Sequence, residues 1–124
     1  MKKALIIEKD SYTSETLAAS LEYFEYEPII YSPETELANQ LIETNPYIVI
    51  VNLQLFRDFR HVFISLLGSK EKLFSACIIL TSGDLTDPEI IRGLGADFFL
   101  FKPYDINQLS DLLIKVEVTK CHSV

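Results

Sequence analysis

Six polar residues follow or end short apolar runs, and their types suit carboxylate, cation and anion chemistry. Glu8, Lys9 and Asp10 come after Ala4-Leu5-Ile6-Ile7. Asn52 ends the run Tyr47-Ile48-Val49-Ile50-Val51, Thr81 follows Ala76 to Leu80, and Lys102 follows Asp97 to Phe101. Runs this short and this rich in β-branched residues read as buried strands rather than helices. A polar residue at the C-terminal end of such a strand sits on the rim of an open α/β sheet, where ligands and chemistry gather. A carboxylate at position 52 could accept a phosphoryl group there, whereas a carboxamide cannot attack phosphorus at neutral pH. The identity of this side chain therefore separates a phosphorylated switch from something else.

Other chemistries are excluded by spacing. His61 and His122 have no partner at metal-ligand spacing, and the chain has no C-x-x-C or H-E-x-x-H. Only four glycines occur, and Gly93-Leu94-Gly95 precedes a strand instead of opening a helix, so there is no P-loop or dinucleotide fingerprint. Cys77 lies in an apolar run and Cys121 in the polar tail; both read as reduced, non-catalytic thiols, consistent with a reducing, cytoplasmic compartment.

The elements that must position the six residues alternate throughout. Thr13 to Glu25 carries Leu17, Leu21 and Phe24 at helical spacing, and Pro28 to Tyr31 is a short second strand. Ser32-Pro33 predicts the start of the next helix, with Leu37, Ala38, Leu41 and Ile42 as its apolar stripe and Asn45-Pro46 as its stop. After the strand ending at Asn52 comes a charged loop, then a helix over Phe59 to Leu67 closed by Gly68. Thr81-Ser82-Gly83-Asp84 reads as a turn, and Asp87-Pro88 starts a helix ending near Gly93 or Gly95. Asp105 with Gln108 predicts a capping box for the final helix, whose stripe is Ile106, Leu109, Leu112, Leu113 and Val116.

At 124 residues, 48% of them hydrophobic, the chain makes one domain over 1–118, with 119–124 expected to fray. Five strands alternating with helices predict an α/β fold: a flavodoxin-like, doubly wound (βα)5 domain with a parallel sheet in the order 2-1-3-4-5 and helices on both faces. The net charge of −7 is the wrong sign for holding nucleic acid or an anionic membrane. No apolar stretch is long enough to cross a bilayer, and the four apolar residues after Met1-Lys2-Lys3 are too few for a signal peptide. The tail after Val118 shows no onset of a second domain, which leaves a stand-alone protein and a piece of a longer regulator equally open.

The layout resembles the receiver domain of bacterial response regulators over nearly the whole chain. Leu5-Ile6-Ile7-Glu8-Lys9-Asp10 resembles that family's first strand and acidic pair, and Leu80-Thr81-Ser82 its fourth strand with the switch hydroxyl. Gly95-Ala96-Asp97 followed by Phe101-Lys102-Pro103-Tyr104 resembles its fifth-strand signature with an invariant lysine and a cis-proline. The resemblance implies a site in which an aspartate ending strand three is the nucleophile and the acidic pair holds Mg²⁺. The hydroxyl and the lysine contact the phosphoryl oxygens, offsetting charge as it builds up there.

Against that pattern, Asn52 replaces the nucleophile and Lys9 replaces the acid expected to touch the metal. Phe99 stands at the switch aromatic, often a tyrosine, and Phe56 and Arg60 stand where a proline and a glycine are usual. Thr81, Lys102 and Pro103 remain. An ammonium about 4 Å from a divalent ion repels it by roughly 8 kcal/mol at an effective dielectric near 20, twice the value for two unit charges. Mg²⁺ is therefore expected not to bind, and no other cofactor is implied. Asp58, the only nearby carboxylate that could replace the nucleophile, lies too far past the strand end.

Each of these residues also has a plain reading. Asn52 is either a polar rim residue hydrogen-bonding its loop or an asparagine that holds a fixed, phosphate-independent conformation. Lys9 is expected to ion-pair with Glu8 or Asp10; Thr81 can cap a turn, and Lys102 with Pro103 can shape one. The reading reached is a pseudo-receiver: a non-enzymatic, phosphorylation-independent interaction module. Its partner protein or second copy is expected on the face built from Asp87 to Gly95, strand five and the final helix, near Phe98, Tyr104 and Asn107. The alternative is a small-anion sensor using Lys9, Asn52, Thr81 and Lys102. A flavin-binding reading finds little support, because Glu8-Lys9-Asp10-Ser11 lacks a hydroxyl-rich phosphate cradle.

Overall fold

Apolar side chains on successive strand residues point to opposite faces, so a solid apolar strand must be covered on both sides. The computed structural model, which describes residues 1–67, 75–83 and 95–122, has this arrangement. Five strands, β1 (Lys2–Ile7), β2 (Tyr26–Ile30), β3 (Ile48–Asn52), β4 (Cys77–Ser82) and β5 (Phe98–Phe101), form one parallel sheet in the order β2-β1-β3-β4-β5. The helices among the described residues are α1 (Ser11–Tyr23), α2 (Leu37–Thr44), α3 (Leu53–Asp58), α4 (Arg60–Leu67) and α5 (Ile106–His122). On one face Leu5, Ile7, Val49, Val51, Ile78 and Leu80 pack with Leu37 and Leu41 of α2, Phe56 of α3 and Phe63 of α4. On the other, Ala4, Ile6, Ile48, Ile50 and Ile79 pack with Leu17 and Leu21 of α1 and Leu109, Leu113 and Val116 of α5.

The doubly wound fold and its strand order are those expected, with β2, which contains Pro28, on one edge. The capping box of the last helix is present in full: Asp105 Oδ1 accepts from Gln108 N–H, and Gln108 Oε1 accepts from Asp105 N–H, each at 2.8 Å. Gly95, at φ 86°, takes a left-handed conformation that costs glycine nothing.

Several boundaries differ. The stretch after Ser32-Pro33 is a turn, closed by Thr35 N–H donating to the Ser32 carbonyl at 3.0 Å, and the helix starts only at Leu37. Residues 33–36 are all exposed, and Leu37 is the first that can pack on the core, so burial sets the helix start and overrides the capping signal. Thr81 and Ser82 are not in a turn. They continue β4, opposite Leu100 and Phe101 of β5.

The expected charged loop after β3 is also absent, because α3 begins directly at Leu53. Leu53, Leu55 and Phe56 are buried there, and that burial outweighs the exposed Arg57 and Asp58 that suggested a loop. The last helix runs on to His122, into the segment expected to fray from Thr119, since neither glycine nor proline stops it. The expected helix over Asp87 to Gly93 and the Gly68 stop lie outside the described residues.

Candidate functional site

Parallel register brings the rim residues together. Ile7 pairs with Val51, and Asn52 with Thr81, so the ends of β1, β3 and β4 lie side by side, with Lys102 just past β5. Glu8, Thr81, Lys102 and Tyr104 line one crevice, floored by Ile6, Ile50 and Leu17. It leaves no space the size of a water molecule. The Lys102–Pro103 peptide bond is cis.

Glu8, Lys102, Asn52 and Asp10, in or beside this crevice, each have a partner within the chain. Lys102 Nζ lies 2.9 Å from Glu8 Oε2, and the Glu8 side chain is only 9% exposed. At that burial the carboxylate needs a cation beside it, and Lys102 supplies one. Asn52 is the N-cap of α3: its Oδ1 accepts from Gln54 N–H at 2.9 Å, satisfying one of the helix's free donors. Asp10 is the N-cap of α1. Its carboxylate accepts from Thr13 N–H at 3.0 Å and from the Thr13 hydroxyl. The hydroxyl bond, followed by the backbone bond, holds the Asp10 carboxyl below its usual pKa.

Lys9 departs from expectation. It is exposed, and among the described residues it pairs with neither Glu8 nor Asp10, because Lys102 has taken the first and the α1 cap the second. Asp58 sits at the far end of α3, one turn beyond Gln54, and accepts from Gln54 Nε2 at 3.1 Å, so it serves the helix surface rather than the rim. Phe56 is a core residue stacked 4.8 Å from Phe63, while Arg60 opens α4 and is exposed. Phe99 is partly buried against the core, with its ring edge-on to Phe101 at 4.2 Å.

Two further residues have roles that spacing along the chain does not assign, Tyr104 at the site and Asp97 toward the opposite end of the sheet. Tyr104 lines the crevice, and burial raises its phenol pKa, with the Glu8 charge adding to the shift. Its position after Lys-Pro on the last rim loop was the available signal. Asp97 joins β4 to β5: its Oδ2 accepts from Ile78 N–H at 2.7 Å and its own N–H donates to the Ile78 carbonyl at 2.9 Å.

The chemistry this set can perform is narrow. The four groups suggested for an anion do not converge on free space. Lys102 is bonded to a carboxylate, the Asn52 oxygen to a backbone N–H, Thr81 is buried and Lys9 stands outside. Among the described residues no three of His, Cys, Asp or Glu are placed to hold a metal ion.

No protein-family model matches the sequence, and no curated protein does. Solved structures match its fold over nearly its full length. The signal receiver domain of a signal transduction histidine kinase from Syntrophus aciditrophicus superposes with a TM-score of 0.77 at 23% identity, covering 100% of this chain and 95% of that one. The chain has the receiver-domain fold. A response regulator receiver modulated diguanylate cyclase from Pelobacter carbinolicus matches with a TM-score of 0.70 at 28% identity, covering 98% and 97%. The chemotaxis protein CheY4 of Vibrio cholerae gives 0.75 at 18% identity over 94% and 98%. Among the described residues no helix is long and apolar enough to cross a membrane.

Proposed function

We propose that this receiver-fold domain is a pseudo-receiver in two-component signalling: a non-enzymatic interaction module that works without phosphotransfer and without Mg²⁺. The observation that carries the reading is the joint commitment of the rim groups. Where the receiver pattern has a nucleophile there is a helix-capping carboxamide, and Glu8, the surviving acid of the pair's first position, is bound to Lys102. A divalent ion would have to break that ion pair, in a site with one carboxylate left to coordinate it. The receiver fold alone does not argue for catalysis or for switching.

The partner, another protein or a second copy, docks in this reading on the face that includes β5 and α5. Phe101, Ile106, Ile114 and Val118 are each at least 39% exposed, more apolar surface than the helix needs for its own packing. The experiment is to incubate the protein with Mg²⁺ and acetyl phosphate and follow its intact mass. The expected result is no phosphoryl adduct; an adduct on this chain would falsify the proposal.

A further inference from the structure

Among the described residues, an apolar hollow of about 570 Å³ lies beside the rim, on the other side of β1 from the crevice. Its walls include Ile30 and Tyr31 at the end of β2, Pro33 in the following turn, and Leu55 and Phe59 from the α3 region. Tyr31 and Phe59 meet edge to face at 5.9 Å, so two nearly perpendicular aromatic rings wall one side. Ile30 is 43% exposed although it belongs to a strand. A volume of this size lies within the range of about 300–1,000 Å³ that holds small organic ligands.

The polar groups bordering the cavity set the charge of what it would take. Glu8 and Lys9 both border it, together with the Ser11 hydroxyl. Glu8 is neutralised by Lys102 at 2.9 Å, and the nearby Asp10 carboxylate is turned to the start of α1. Lys9 is the cation left without an ion-pair partner among the described residues. An apolar, aromatic-walled hollow with one uncommitted ammonium at its border is complementary to a small organic anion with a flat apolar body.

We infer that this cavity binds an aromatic monocarboxylate or a ligand of that class, with Lys9 pairing to the carboxylate and Tyr31 and Phe59 packing on the ring. The site shares only Glu8 with the rim crevice, and its ligand does not depend on whether the rim can be phosphorylated. It also gives the lysine that replaced an acid a positive use.

The test titrates 2-naphthoate into the intact chain and follows amide NMR shifts, with neutral 2-naphthamide and inorganic phosphate as comparisons. The expected result is saturable binding of naphthoate with shifts centred on Ile30, Tyr31, Leu55 and Phe59, and none of this with phosphate. Lys9→Gln, an exposed substitution that leaves the fold intact, should weaken naphthoate by roughly twofold to fivefold and leave naphthamide unchanged. No saturation at millimolar naphthoate, shifts centred elsewhere, or equal naphthoate affinity in Lys9→Gln would each overturn the proposal.

Discussion

Two lysine–carboxylate pairs stand at opposite ends of this sheet, and they differ in what surrounds them. At the C-terminal rim Lys102 meets Glu8 at 2.9 Å with side-chain exposures of 27% and 9%. At the N-terminal rim Lys2 meets Glu117 at 2.5 Å with exposures of 48% and 36%, and Glu117 also accepts from the hydroxyls of Tyr26 at 2.9 Å and Tyr47 at 3.1 Å. The lower pair is a clamp: one carboxylate on α5 gathers three donors from β1, β2 and the residue before β3, with the Lys2 ammonium also 4.8 Å from the Tyr47 ring. The upper pair is a substitution, with an ammonium taking up a shielded carboxylate that the receiver pattern would give to a metal. The same two residue types fasten a helix at one end and fill the rim crevice at the other.

That contrast can be broken most severely at the top. Lys102→Met removes the cation from a nearly buried carboxylate and should cost about 2 kcal/mol in urea unfolding, below the roughly 3–5 kcal/mol of fully buried pairs because Lys102 is partly solvated. An unchanged midpoint would mean that Glu8 reaches water by itself. Next comes the cap. Asn52→Ala should cost about 1 kcal/mol through the lost bond to Gln54 N–H, whereas Asn52→Asp, an equally good N-cap, should stay within about 0.5 kcal/mol. Equal losses in the two variants would show that the capping bond contributes nothing.

The lower clamp should respond more to pH than to mutation. The Lys2 bond, with help from the tyrosine hydroxyls, holds the Glu117 carboxyl below its usual value of 4.5. A carboxyl with a lowered folded pKa contributes stability that is fully present above 4.5 and is lost as pH falls through the folded value. Chemical denaturation from pH 6 down to pH 3 should therefore show a shallower loss in Glu117→Gln than in the wild type. At pH 7 that variant should cost no more than about 1 kcal/mol, since the pair is solvated. Parallel pH curves would remove the clamp from the account. The smallest effect lies just past the end of α1, beside the lower clamp: Glu25 sits at φ 67°, and Glu25→Gly should stabilise by about 0.5 kcal/mol in thermal unfolding.

How far the fold could be read in advance follows from where burial is symmetrical. β1, β3 and β4 are apolar on both faces, so solid runs announced them and parallel pairing followed. The segment 53–58 was misread because Arg57 and Asp58 gave it the look of a loop. Its decisive feature was Asn52, a capping residue directly before Leu53, Leu55 and Phe56. At the site, the residues on the rim were legible from the strand ends, but their pairing was not. Whether Glu8 would take Lys9 or Lys102 depends on side-chain reach across the crevice, which spacing along the chain does not encode. The use of Asp10 and Asn52 as helix caps is local chemistry and could have been read from their positions before Ser11 and Leu53.

The central claim is that the upper rim is closed to metal and phosphoryl groups by its own side chains. Amide NMR of the wild type titrated with Mg²⁺ and beryllofluoride tests it most directly, with the Asn52→Asp, Lys9→Asp double variant titrated beside it. No saturable shift is expected at Glu8, Asn52, Thr81 or Lys102 in the wild type, and Mg²⁺-dependent shifts are expected at those positions in the double variant. Saturable shifts in the wild type at the same four residues would contradict it.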